Sequence, residues 1–308
     1  MPMADGGPLT ADGGPQAADG GLPSAVAQNA PLLVVALLAV DGLHFVFARA
    51  LHGRLPPVTA VAFVLGIATL QIAVVAAARG QLRPATFWQH RRFFLAIGGL
   101  VALSTTLNYA AVEFVDPGAA SLLSQTSILF GLALGVLWLR DRLSRRQWLG
   151  AALTLVGVGL ISFQPGDYFR FGSLLVIGSA LLYAVHAALV KRYGGGVAFL
   201  EFFVWRLAAT TGFLLLAVTA QGAWRWPDGP TWLLLLVAGT VDVVISRALY
   251  YLALRRLTIT LHSLVLTFSP VVAILWSLAL FGIWPGAQAL LGGLAVVAGI
   301  AVVTMRRG

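Results

Sequence analysis

The chain has 308 residues, of which 59% are hydrophobic and 10% charged, with a mean hydropathy of +0.90. Soluble globular chains run at about 45–50% apolar and about 25% charged residues, so a soluble enzyme is excluded, and disorder over the whole length fails on the same hydrophobicity. The net charge is +9 and there is no cysteine, which removes disulfides, thiolate catalysis and Cys-based zinc or iron–sulfur sites.

In chain order, the first feature is a repeat: Ala4-Asp5-Gly6-Gly7-Pro8, Ala11-Asp12-Gly13-Gly14-Pro15 and Ala18-Asp19-Gly20-Gly21. Such a segment buries too little to offset the entropy of ordering it, so residues 1–30 are expected to be a disordered tail, and without Lys or Arg it does not read as an export signal. A helix crosses the ~30 Å hydrocarbon layer with about 20 mostly apolar residues. Dividing the chain at its charged, Pro and Gly clusters predicts ten spans, at 31–51, 58–78, 93–112, 117–139, 147–163, 172–190, 197–220, 231–254, 258–281 and 286–304. The fold class expected is an all-α polytopic membrane protein.

Lys and Arg are retained on the cytoplasmic side of short loops. With the N-terminus inside, the inner segments carry Arg79, Arg83, Arg91, Arg92, Arg140, Arg142, Arg145, Arg146, Lys191, Arg192, Arg255, Arg256, Arg306 and Arg307. The outer loops carry only Arg49, Arg54, Arg170 and Arg225. Both termini are therefore expected in the cytoplasm, with the protein in the plasma membrane. The bases are spread over several segments and form no single stripe, which argues against a nucleic-acid partner.

The sequence also matches itself at a shift of 142 residues. Leu32-Leu33-Val34 falls on Leu174-Leu175-Val176, His44 on His186, Thr69 on Thr211, Gly80 on Gly222, Ser104 on Ser246, Tyr109 on Tyr251, Ser127 on Ser269, Gly150 on Gly292 and Gly157 on Gly299. Each copy holds five spans, at 31–164 and 172–305. Five is odd, so the second copy must sit upside down relative to the first. Inverted repeats of this kind place a substrate site near the midplane, between the repeats.

Asp41-Gly42-Leu43-His44-Phe45-Val46-Phe47-Ala48-Arg49 resembles the first-helix pattern of the EamA family in the drug/metabolite transporter superfamily. Leu122-Leu123-Ser124-Gln125-Thr126-Ser127, continuing through Leu139-Arg140-Asp141-Arg142-Leu143 to Gly150, resembles its fourth and fifth helices, and Leu266-Thr267-Phe268-Ser269-Pro270-Val271-Val272 does so in the second copy. The resemblance implies ten helices in two five-helix repeats and export or exchange of small metabolites. Three positions depart from the pattern: Asp41 replaces a Trp, Ile128 a Pro and Ile283 an acid.

A charge at the bilayer centre costs at least ~2.5–3.5 kcal/mol, so intramembrane charges are expected to face the bundle interior. At 1.5 Å per residue, Asp41, Arg206 and Asp242 lie ~15, ~14 and ~16 Å into their spans, near the midplane. Arg247 lies about two turns and Glu201 about one turn from the inner end of their spans. Arg206 and Arg247 are expected to pair across helices with Asp41 and Asp242, either to fix helix register or to serve function. In the functional alternative, Asp41, with His44 one turn away, binds a proton or a substrate amine. The candidate substrate- or ion-binding set is Asp41, His44, Arg206, Asp242, Arg247, Asn108, Tyr109, Gln125, His186 and Tyr250. Tyr183 and Tyr251 are further polar candidates, and His262 is expected at the interface. Trp205, Phe130, Phe268 and Trp276 are candidates for an apolar cavity wall. Pro270 is expected mid-helix as a hinge, and Gly131 and Gly135 as a close-packing pair.

The function expected is a secondary transporter of a small-molecule substrate, an amino acid or amphipathic organic compound, working by alternating access driven by a substrate gradient or by proton exchange, with no cofactor or metal. No Walker loop, H-E-x-x-H or G-x-S-x-G occurs in the sequence, so ATP is not expected as the driver. A polytopic receptor or scaffold is the alternative. An intramembrane aspartyl enzyme is weaker still, because Gly239-Thr240-Val241 precedes Asp242 where G-x-G-D is needed.

Overall fold

The computed structural model describes residues 30–139, 144–162, 167–194, 197–256 and 265–304. The Gly-rich tail, Asp141, His262 and the Tyr251 side chain lie outside the described residues. Within them, helices form the ten expected rods. Three rods are single helices in the first half, Pro57–Ala78, Arg91–Ala111 and Arg145–Ser162, and three in the second, Asp167–Tyr193, Phe199–Ala220 and Ala287–Thr304. The other four are interrupted. Span one is Ala30–Asp41 and His44–Leu51, and span four is Pro117–Ser124 and Thr126–Leu139. Span eight is Gly229–Ala238, a π-helical segment Gly239–Ile245, and Ser246–Arg256; span nine resumes as Ser269–Phe281 after a turn at Thr267 and Phe268. Seven rods are long and apolar enough to cross a bilayer, and Ser269–Phe281 and Ala287–Val303 are shorter apolar helices. No strand occurs among the described residues. The chain is a polytopic all-α membrane protein.

The helix ends follow from local sequence. Pro57, Pro117, Pro230 and Pro270 stand in first turns, where a missing N–H costs nothing. The Asp116 and Asp228 side chains cap their helices by accepting from Ala119 N and Thr231 N, each at 2.9 Å. Gly80 and Gly222 end spans two and seven with φ of 62° and 60°. In both copies the next residue donates back into the last turn, Gln81 N to Ala76 O at 2.8 Å and Ala223 N to Val218 O at 3.0 Å. This left-handed termination suits glycine, and it is the same device at equivalent positions.

The two copies meet through equivalent helices running antiparallel. Spans five and ten pack along glycines: a Cβ on Gly150 would lie 2.5 Å from Gly299 O, and one on Gly157 2.5 Å from Gly292 O. Each contact is the other's image under the 142-residue shift, as a two-fold axis between the copies requires. Spans two and seven cross at Thr69 and Thr211, whose hydroxyl oxygens are 2.9 Å apart, and Thr59 Oγ1 donates to Ala223 O at 2.7 Å. Helices in lipid associate by such close backbone approach, since hydrocarbon surroundings supply no hydrophobic drive. The expected close packing at Gly131 is not found: a Cβ there meets open space.

Replacing Gly157 with Leu forces backbone apart in the span five–span ten seam. Its expected cost is about 1–3 kcal/mol, the usual range for overpacking, read as a lowered midpoint of thermal unfolding in detergent. Gly159, on the same helix with no atom within 4 Å of an added Cβ, is the control: Gly159→Ala does not lower the midpoint, since it adds helix propensity without a clash. Hydrogen bonds from the Thr231 hydroxyl, and then from its backbone N–H, hold the Asp228 carboxyl below its ordinary pKa. Its stabilisation is therefore present above the unfolded carboxylate pKa and lost as pH falls through the folded one. Asp228→Ala lowers the melting midpoint at pH 7, Asp228→Asn retains most of it, and the Ala deficit shrinks in acid.

Candidate functional site

Span one breaks after Asp41. Gly42 N still bonds Leu38 O at 3.1 Å and Leu43 N bonds Val40 O at 3.1 Å, but a new helix begins at His44. Span nine presses on the break: a Cβ on Gly42 would sit 3.0 Å from Ala273 N and 3.2 Å from a Val272 methyl. Trp276 Nε1 donates to Ala39 O at 2.9 Å, one turn before the break. Ser269 Oγ, at the start of the span nine helix, donates to Asp41 Oδ2 at 2.6 Å.

The same residues carry a second link across the molecule. His44 Nδ1 lies 2.9 Å from Asp242 Oδ2, and Asp242 sits in the π-helical segment of span eight. Assigning the Nδ1 proton to this bond leaves Nε2 as an acceptor, facing Asn108 Nδ2 at 3.4 Å. The Tyr109 ring meets the imidazole edge-on with centroids 5.9 Å apart. The π-turn comes where span eight crosses span two, since a Cβ on Gly239 would lie 2.8 Å from Val64 O, and Gln71 Nε2 donates to Thr240 Oγ1 at 2.9 Å. Single π-turns often mark functional positions in helices.

The breaks in spans four and nine are equivalent, because Gln125 falls on Thr267 under the 142-residue shift. They also face each other: Gln125 Nε2 approaches Leu266 O at 3.5 Å. Ser104 and Ser179 join spans three and six with hydroxyls 2.9 Å apart.

These elements enclose a cavity of about 570 Å³. Asp41, His44, Asn108, Tyr109, Gln125, Arg206, Asp242, Arg247 and Tyr250 all line it, together with Pro270. A collar of small hydroxyl residues adds Ser104, Ser121, Ser124, Ser127, Ser179, Ser246, Thr267 and Ser269, and Tyr183 contributes a further phenol. The two halves of the chain contribute alike. The hydroxyl collar was visible in the sequence only in part, as the pairs Ser104 with Ser246 and Ser127 with Ser269 in the duplication and as Ser124 and Thr267 within the quoted motifs. Apolar spans give no signal for the π-turn.

Several expectations need correcting. Among the described residues the ion pairs within 4 Å are His44–Asp242 and the interfacial Arg83–Glu201 at 3.6 Å, so the expected pairing of Arg206 and Arg247 with Asp41 and Asp242 is not formed. The carboxylates take a serine and a histidine instead. Arg206 lies over the Phe203 ring at 5.4 Å and Arg247 over Tyr250 at 5.9 Å. His186 stands outside the cavity lining. It is buried against Tyr183 with neither ring nitrogen hydrogen-bonded among the described residues. Pro270 lies in the first turn of a helix, after the break at Thr267 and Phe268, and not inside a continuous rod. Trp205, Phe130, Phe268 and Trp276 do not line the cavity. Trp205 belongs to an aromatic cluster with Phe87 and Phe94, and Trp276 is held by span one.

The chain resembles known proteins along most of its length. It is 31% identical over 173 residues to a riboflavin transporter of Vibrio cholerae, covering 56% of each chain, so this match spans about half of that relative's length. It is 26% identical over 249 residues to a probable terminal-alkyne amino-acid exporter of Streptantibioticus cattleyicolor, covering 79% of this chain and 82% of the relative. A crystal structure at 20% identity shares the fold with a TM-score of 0.62, covering 89% of this chain and 97% of that one. The sequence pattern of the EamA-like transporter family matches residues 29–163 and 170–305, and with both halves matched, the chain belongs to that family.

Proposed function

We propose that this member of a transporter family is a secondary transporter that moves a small metabolite across the plasma membrane by alternating access, with both termini in the cytoplasm. The observation that carries the reading is the cavity of about 570 Å³ at which four spans break and to which both repeats contribute. Irregular backbone at membrane depth is tolerated where it lines a cavity, and interrupted helices at a repeat interface are the usual form of a substrate site. The named activities of the relatives, riboflavin transport and amino-acid export, support the reading of the substrate as an amino acid or amphipathic organic compound. Efflux or exchange driven by a gradient fits a sequence without a Walker loop, and neither nucleic acid nor a cofactor has a role in the reading. A receptor or scaffold needs no cavity lined by charged and hydroxyl groups from both repeats, and hydrolysis by an aspartyl dyad needs two carboxylates sharing a proton. Here Asp41 and Asp242 are occupied separately by Ser269 and His44.

Coupling to protons is assigned to the acids that join the repeats. Ser269–Asp41 and His44–Asp242 both run from the first repeat to the second, so protonating either carboxylate weakens a link between the halves that alternating access moves. Purified protein in proteoliposomes is expected to show substrate counterflow. Asp41→Asn is expected to abolish uptake driven by a pH gradient while leaving a monodisperse protein in detergent; coupling equal to wild type in that variant rejects the assignment. The absence of native cysteine makes topology direct to read. Single cysteines at Ala4 and Gly308 are expected to resist an impermeant maleimide in intact cells and to react after lysis, and labelling of only one of them in intact cells defeats the inverted arrangement of spans.

A further inference from the structure

We propose that Arg206 and Arg247 form an anion-binding pole in the cavity, so that the transported compound is a small organic acid whose carboxylate, or equivalent anionic group, sits between them. The inference rests on the transport reading above and narrows its substrate class. It comes from the unequal satisfaction of the charges that line the chamber. Both acids are already engaged by the protein, Asp41 by Ser269 at 2.6 Å and Asp242 by His44 at 2.9 Å. Neither guanidinium has a carboxylate within 4 Å among the described residues. Arg206 is only 9% exposed, and its Nε is shut away from solvent with no hydrogen-bond partner. Its ring contact with Phe203 leaves that Nε without an acceptor, and Arg247, over the Tyr250 ring, shares a hydrogen bond with the Tyr183 side chain, a phenol and not a carboxylate.

A desolvated guanidinium with an unsatisfied N–H and no carboxylate in contact is unfavourable, and an incoming anion relieves it. The planar fork of arginine matches a carboxylate through two parallel hydrogen bonds. A cationic substrate meets the opposite situation, since it must share each carboxylate with Ser269 or His44, and it leaves both arginines without a carboxylate in contact. Phe45, Tyr109 and Tyr183 line the same chamber, and they offer ring faces to the body of a planar or aromatic acid.

The test is equilibrium binding to purified protein in nanodiscs at pH 7, using matched triplets of acid, primary amide and primary amine on phenylpropyl, indolylpropyl and cyclohexylpropyl bodies. At least one acid is expected to bind tenfold or more tighter than its amide and its amine. Arg206→Gln and Arg247→Gln each weaken that acid at least tenfold, and Arg206→Lys, which keeps charge but not the fork, falls between. The proposal is overturned if an amine outranks its acid, if no acid in the panel binds, or if the acid retains wild-type affinity in both Gln variants. Should the Gln variants not remain monodisperse, the wild-type ranking of acid over amide and amine decides alone. Counterflow of the same probes separates the two readings: an acid that binds without flux sinks transport and leaves the anion pole standing, whereas flux of amines without binding of acids does the reverse.

Discussion

Charge has to be enclosed in hydrocarbon, and the way this chain encloses it governs the rest of the molecule. A five-helix unit carrying Asp41 alone, or one carrying Arg206, Asp242 and Arg247, would expose polar groups where no water can satisfy them. The two units instead meet face to face, and each supplies partners to the other. Ser269 of the second serves Asp41 of the first, and His44 of the first serves Asp242 of the second. The glycine seam of spans five and ten and the Thr69–Thr211 crossing hold the units at the distance these short links need.

The price of enclosure appears in the backbone. Spans one, four, eight and nine are not continuous α-helices at the depth of the chamber. Two of the breaks, at Gln125 and at Thr267–Phe268, are images of one another, and they are consistent with an inherited feature of the repeat. The other two have no counterpart: the positions equivalent to the Asp41–His44 break lie inside the unbroken helix Asp167–Tyr193, and those equivalent to the π-helical segment of span eight lie inside the unbroken helix Arg91–Ala111. The acids sit at these unmatched breaks. Asp41 is equivalent to Tyr183, and His44 to His186, which is buried without a partner while His44 is bonded. The duplication thus supplied the frame, and divergence at individual positions supplied a chemically lopsided chamber, with acids satisfied and arginines less so.

Asp116 shows how finely the ends of such spans are balanced. Burial raises its carboxyl pKa, while hydrogen bonds from the backbone N–H groups of Ala119 and Gly118 act in the opposite direction and the nearby Arg49 guanidinium adds to them. Arg49 is itself anchored by donating to Val112 O at 2.6 Å. The end of span one is in this way tied to the short connection between spans three and four, so the half-helix that carries Ser121, Ser124 and Gln125 into the chamber is fixed at its origin.

The likeness of the Asp41–Arg49 and Leu122–Ser127 motifs to a known pattern pointed to the EamA family, and hydropathy, the odd number of spans per copy and the 142-residue self-match determined by themselves that this is a ten-helix, twice-repeated membrane protein. These properties are set by how much apolar length a bilayer demands and by periodicity, both of which are written locally along the chain. The residues of the chamber were legible for a related reason: a charge such as Asp41 or Arg206 in an apolar run has few places to go, and nine of the ten proposed polar residues do converge on the cavity. Which charge meets which was not legible. Helical spacing placed His44 beside Asp41 and left the arginines as the natural partners of the acids, but the breaks at Gly42 and Gly239 turn the backbone, and the choice of Ser269 for Asp41 and His44 for Asp242 depends on contacts between residues 198 and 228 positions apart. Only the tertiary structure could decide it, because partner choice in a low-dielectric interior follows the distance between elements from different repeats, and that distance is set by close packing that no single span encodes.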